Sequence, residues 1–124
     1  MRYLLDTHIF IWWMEEKRLS KTLMDLLGDP RNKIYLSVAA IWEIVIKHSK
    51  GKLKISKDIE KGVKNSGFIV LPIETLHVLE TGKFPNYHND PFDRILIAQA
   101  KVENLTLITS DKKIWKYKLS FLKA

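Results

Sequence analysis

Residues 88–111 read HNDPFDRILIAQAKVENLTLITSD, and the order of signals within them decides the fold. Asp90 followed by Pro91 is a helix start. The aspartate is placed to cap, the proline loses nothing at the first helical position, and Asp93 complements the positive end of the helix dipole. The helical pattern runs from Pro91 to Glu103, where Asn104 suits a left-handed terminating residue. LTLIT, residues 105–109, is then a short apolar run of the kind that forms a strand buried on both faces, and it stops just before Ser110 and Asp111. A helix that delivers the chain straight into such a strand is half of a parallel βαβ unit.

The same alternation extends outward. YLL ends at Asp6, IYLS at Ser37 and FIVLP at Pro72, with a fifth, edge strand predicted around LSFL. Between these runs, Ser20 caps KTLMDLL, closed by Gly28 and Asp29-Pro30. Ser37 caps VAAIWEIVIKHSK, closed by Gly51, and Ser56 caps KDIEKGVKNS, ended by Gly67. ETLHVLETG and KKIWKY are further short helical pieces. Strands alternating with helices predict right-handed crossovers and a mostly parallel sheet of four to five strands. The expected fold is a Rossmann-like three-layer α/β/α sandwich, as one domain over residues 1–124.

The chain has 124 residues, enough for one sizeable core, and no cysteine, which excludes disulfides and thiolate metal sites. No apolar run approaches the ~18 residues of a membrane span, and MRYLLDTH, which meets an acid after two leucines, is not expected to act as a signal segment. A cytoplasmic protein without membrane association is expected. Twenty-one Lys and Arg against 14 Asp and Glu give a net charge of +7, which favours a polyanionic partner such as nucleic acid.

In open parallel sheets, sites form beyond the carboxyl ends of the strands, where strand order reverses. Asp6 and Asp111 follow two of the predicted strands, Glu43 lies in the second turn of a helix leaving a third, and Asp90 and Asp93 open the helix that enters the fourth. All five acids are expected at one rim. Such a group repels itself and needs cations, and oxygen ligands without Cys or His select Mg²⁺, with Mn²⁺ as a substitute. A basic protein with an acidic, metal-binding notch suits metal-assisted phosphodiester hydrolysis.

LLDTHIFIWW, SVAAIWEIVIKHSKGKL, HNDPFDRILIAQA and LTLITSD together resemble the signature segments of the PIN domain, in particular of VapC-type ribonuclease toxins of type II toxin-antitoxin pairs. The resemblance covers nearly the whole chain, in the right order. It implies an Mg²⁺-dependent endoribonuclease that hydrolyses RNA with metal-activated water. It also implies a homodimer silenced by a small antitoxin, whose C-terminal tail fills the active-site groove. Carried over residue by residue, the catalytic and metal-holding acids fall on Asp6, Glu43, Asp93 and Asp111. Members of this branch often carry a basic residue just before DPFDR, where this chain has Asn89, which puts an RNA contact there in doubt.

Each residue also has a plainer use. Asp90 is chiefly a cap, with water-mediated metal contact as the alternative. Lys47, one turn after Glu43, can pair with it. Thr7, Thr109 and Ser110 stand beside the acids as groups able to orient them. Arg94 either clamps a phosphate or pairs with a carboxylate, the latter being favoured. His8 and His88 flank acids but receive no catalytic role, since His seldom binds Mg²⁺. Lys47, Lys50 and Lys52, with lysines 54, 57, 61 and 64, are either a solvated face or a track for RNA phosphates. Ile9, Phe10, Trp12 and Trp13 make the first helix apolar on many sides, which predicts a dimer or antitoxin contact over base stacking. The rivals are a non-enzymatic, Mg²⁺-binding phospho-receiver-like signalling module and a PIN-fold nuclease acting on DNA. The proline ending FIVLP, where a receiver needs its phosphoacceptor aspartate, argues against the first. A haloacid-dehalogenase-like phosphatase would want Asp-x-Asp after the first strand, and DTH lacks it.

Overall fold

The computed structural model describes residues 1–55, 58–87 and 89–124. Strand β1 (Arg2–Leu5) leads into helices α1 (Thr7–Glu15) and α2 (Lys21–Gly28). Strand β2 (Lys33–Ser37) leads into α3 (Val38–Ser49) and α4 (Ile59–Ser66), and β3 (Ile69–Leu71) into α5 (Thr75–Glu80) and α6 (Pro91–Glu103). β4 (Thr106–Thr109), a 3₁₀ turn at Ile114–Lys116 and β5 (Phe121–Lys123) follow. The sheet order is β3-β2-β1-β4-β5 and every neighbouring pair is parallel. The order therefore reverses between β1 and β4, where Leu5 faces Ile108 and the Asp6 N–H donates to the Ile108 carbonyl at 3.0 Å.

Alternation along the strands builds a core on each face of the sheet. Tyr3, Leu5, Ile34, Leu36 and Ile108 pack with α1, α2 and the Ala40 and Ile44 side of α3. Leu4 and Leu107 pack on the opposite face with Leu96, Ile97 and Ala100 of α6. Full burial of one such Leu or Ile is worth about 1.5–3 kcal/mol, so two filled faces fix both strand register and helix placement.

Local signals set the helix ends. The Ser20 hydroxyl accepts from the Leu23 N–H at 3.1 Å, the Ser37 hydroxyl accepts from the Ala39 N–H at 3.0 Å, and Asn104 ends α6 with φ 57°. Ser56 lies outside the described residues, and α4 starts later than expected, at Ile59. There Asp58 accepts from the Glu60 and Lys61 N–H groups at 2.9 and 3.3 Å, its charge complementing the helix dipole. KKIWKY forms only the single 3₁₀ turn. Gly62 lets α4 come close to α1, since a Cβ there would lie 2.3 Å from the Met14 sulfur.

The expectation for α1 is corrected. Ile9, Phe10, Ile11 and Met14 are buried in the core, and Trp13 packs at 5.5 Å from Phe68 between α4 and β3. Most of the apolar surface of α1 is thus covered within the chain, while Trp12 and Trp13 stay half-buried. Exposed apolar side chains include Val38, Trp42 and Val45 on α3, Leu76, Val78 and Leu79 on α5, and Ile69 and Val70 on β3. Among the described residues no helix is long and apolar enough to cross a membrane.

Candidate active site

β1 delivers Asp6 to the carboxyl rim of the sheet, at the reversal of strand order. Asp6 occupies the cap position of α1, yet its side chain makes no capping hydrogen bond. It is 4% exposed, and Oδ2 instead accepts from the Thr109 hydroxyl at 2.7 Å. The same hydroxyl accepts from the Asp111 N–H at 3.0 Å, so one threonine at the end of β4 positions both acids. Burial pushes the Asp6 carboxyl above its usual range, the Thr109 hydrogen bond opposes that rise, and the charge of Glu43 adds to it.

Glu43 is carried by α3, whose start is fixed by the Ser37 cap at the end of β2. At 3% exposure it is a buried acid on an otherwise apolar helix face. The Thr7 hydroxyl donates to Oε1 at 2.7 Å, and the Lys47 ammonium, one turn on, pairs with Oε2. This is the i,i+4 partner expected for a lone acid. Glu43, through its hydrogen bond and charge, raises the Lys47 pKa; Asp90 and Asp93 add to that rise.

Asp90 and Asp93 divide the labour at the start of α6. Oδ1 of Asp90 accepts from the Phe92 and Asp93 N–H groups at 2.9 and 3.2 Å, with Pro91 at the first helical turn. Asp93 is half-buried, and burial pushes its carboxyl up to about 8, helped by the charges of Asp6, Asp90, Glu43 and Asp111. Acids from the ends of β1 and β4 and from α3 and the start of α6, far apart in sequence, all bear on one carboxyl. Asp111 uses Oδ1 to accept from the Lys113 N–H at 2.9 Å, which starts the 3₁₀ turn, and Ser110 beside it is half-buried.

The acids are not gathered into a ready cage. Among the described residues no three Asp, Glu or His side chains stand as a set of metal ligands. Both Glu43 oxygens and one Asp90 oxygen are held within the chain.

The remaining residues fall differently. Arg94 donates from Nη2 to the Thr81 carbonyl at 2.7 Å and from Nη1 to the Pro85 carbonyl and the Tyr117 hydroxyl, both at 3.3 Å, with its guanidinium 4.6 Å from the centre of the Phe84 ring. These contacts tie the segment after α5 to α6. Lys50, Lys52 and Lys54 are exposed beyond the end of α3, His8 is exposed beside Trp12, and His88 and Lys57 lie outside the described residues.

Sequence reasoning missed a buried polar cluster behind α6. His77 is fully buried; Nδ1 accepts from the Glu74 N–H at 2.9 Å, which leaves the proton on Nε2, 2.8 Å from a Glu103 oxygen. Its only sequence signal is a histidine three residues after Glu74, at the start of α5.

A parallel sheet with acids converging at its reversal point puts the candidate site where open α/β sheets bind their ligands. Residues 3–118 match the model of the PIN domain family, and the chain belongs to that family. No curated protein matches it in sequence. Among solved structures it is similar to a chain of VapBC2 from Rickettsia felis bound to a DNA fragment from their promoter, with a TM-score of 0.75 and 19% identity over 99% of this chain and 98% of that one. DNA-bound VapBC from Salmonella typhimurium gives a TM-score of 0.72 at 16% identity over the same shares. FitAcB from Neisseria gonorrhoeae gives 0.65 at 19%, over 98% of this chain and 96% of that one. These likenesses establish the fold.

Proposed function

We propose that this PIN domain, read as one unit over residues 1–124, is a divalent-metal-dependent endoribonuclease and the toxin of a two-component toxin-antitoxin pair. The observation that carries the reading is the convergence of Asp6, Glu43, Asp90 and Asp111 on the Asp93 carboxyl. Burial is the larger cause of the rise of Asp93 to about 8, and the charges of the four other acids add to it; it is this shared negative charge that favours a cation there. Carboxylates without Cys or His ligands suit Mg²⁺ or Mn²⁺, which supports Asp6, Glu43, Asp93 and Asp111 as its holders. When bound, the ion neutralises phosphate charge and lowers the pKa of a water molecule.

The chain's own residues do the positioning. Thr109 aims Asp6 and Asp111, Thr7 aims Glu43, and the Asp90 cap fixes the first turn of α6 so that Asp93 faces the rim. Exposed Lys50 and Lys52 extend from the Glu43 helix as sites for RNA phosphates, in keeping with the net charge of +7. The similar VapBC structures support a small antitoxin as partner. The apolar face of α3 and α5 supports a homodimer: Trp42 and Val78 line one groove of about 330 Å³ with Ile73, Phe92 and Ile95, and Leu76 and Leu79 are more than half exposed beside it. Incubation of the purified chain with RNA and with single- and double-stranded DNA, with and without Mg²⁺, tests the reading. Mg²⁺-dependent scission of RNA alone is expected, and preference for DNA would reassign the substrate.

A further inference from the structure

Lys47 is placed unlike the other lysines of its segment. Lys50, Lys52 and Lys54 are exposed, whereas Lys47 reaches back along α3 to a carboxylate that is 3% exposed. A buried carboxylate with only the Thr7 hydroxyl for company would be costly, and the Lys47 ammonium offsets part of that cost. Yet the oxygen it holds, Oε2, belongs to one of the four acids assigned to the ion. Asp90 and Asp93 also draw on the same ammonium. Lys47 thus supplies a positive charge to the side of the rim formed by Glu43, Asp90 and Asp93.

We propose that Lys47 is a built-in counter-ion of the acidic rim, which holds Glu43 while no divalent cation is bound and is displaced from it when one enters. This rests on the metal-dependent reading above and deepens it by adding a positioning residue. An ammonium and a divalent cation next to the same carboxylate repel one another, so closure of the Lys47–Glu43 pair lowers the fraction of molecules ready to take up metal. Apparent affinity falls by that same fraction. Both oxygens of Glu43 are already engaged, one by Thr7 and one by Lys47. Once displaced, the ammonium stays at the rim on a side chain long enough to meet a phosphate oxygen.

The test compares wild type with Lys47→Met and Lys47→Arg, using Mn²⁺ as the probe and reading bound ion by paramagnetic resonance without RNA. Lys47→Met, neutral and similar in length, is expected to bind Mn²⁺ about tenfold tighter, and Lys47→Arg within about twofold of wild type. Melting gives a second readout: Lys47→Met should unfold at a lower temperature than wild type in EDTA, and saturating Mn²⁺ should close that gap. Unchanged or weaker Mn²⁺ binding by Lys47→Met, with wild-type binding intact and lost in Asp6→Asn, overturns the counter-ion proposal alone. A wild-type chain that takes up no Mn²⁺ overturns this proposal and the metal-dependent reading together.

Discussion

Asp93 and Thr109 show how much of the site resides in single groups. The Asp93 carboxyl is raised to about 8 from an ordinary value near 3.8, so between those limits the folded chain holds a proton that the unfolded chain has lost. Stability without metal therefore falls as pH rises from about 4 to 8. The melting temperature in EDTA should decline across that window, and Asp93→Asn should decline less. A wild-type slope no steeper than that of Asp93→Asn would show that Asp93 titrates normally. Ion binding needs the carboxylate form, so metal uptake should release a proton and strengthen as pH approaches 8. Thr109 offers a separate check, because its hydroxyl satisfies buried Asp6. Thr109→Val, close in shape, should cost about 1–3 kcal/mol in denaturant unfolding and weaken Mn²⁺ uptake, whereas Thr109→Ser should restore both.

At the scale of the element, the start of α6 separates the two aspartates that open it. Asp90 spends Oδ1 on two backbone N–H groups, so Asp90→Asn should keep most of the stability and of any RNA cleavage, while Asp90→Ala should lose about 1 kcal/mol of stability. Complete loss of cleavage in a stable Asp90→Asn variant would instead make Asp90 part of the ion site. The caps at Ser20, Ser37 and Asp90, the stop at Asn104 and the first four strands were legible because each is written in adjacent residues. So was the Glu43–Lys47 pair, which needs only one helical turn. What escaped depends on pairing across the fold. The burial of α1 follows from Gly62 admitting α4 and from Phe68 meeting Trp13, and the role of Arg94 follows from Thr81 and Pro85 folding back over α6. Neither can be read from local periodicity.

The whole molecule brings these pieces to one edge. The order β3-β2-β1-β4-β5 sets the ends of β1 and β4 side by side, and only this adjacency lets Thr109 serve Asp6 across 103 positions of sequence. The same arrangement leaves Val38, Trp42 and Val45 of α3 and Leu76, Val78 and Leu79 of α5 exposed. Light scattering at micromolar concentration should report a dimer for the wild-type chain and a monomer for Leu79→Glu; a wild-type monomer, or an unaffected dimer in the variant, would place the association surface elsewhere. The central claim is that the acidic rim cleaves RNA with the help of a divalent ion. It is tested most directly by incubating the purified protein with total RNA and Mg²⁺ and mapping the new 5′ ends beside Asp6→Asn. The account predicts discrete ends that vanish in EDTA and fall at least about 100-fold in the folded variant. Ends that persist undiminished in Asp6→Asn, or none from the wild-type protein, would contradict it.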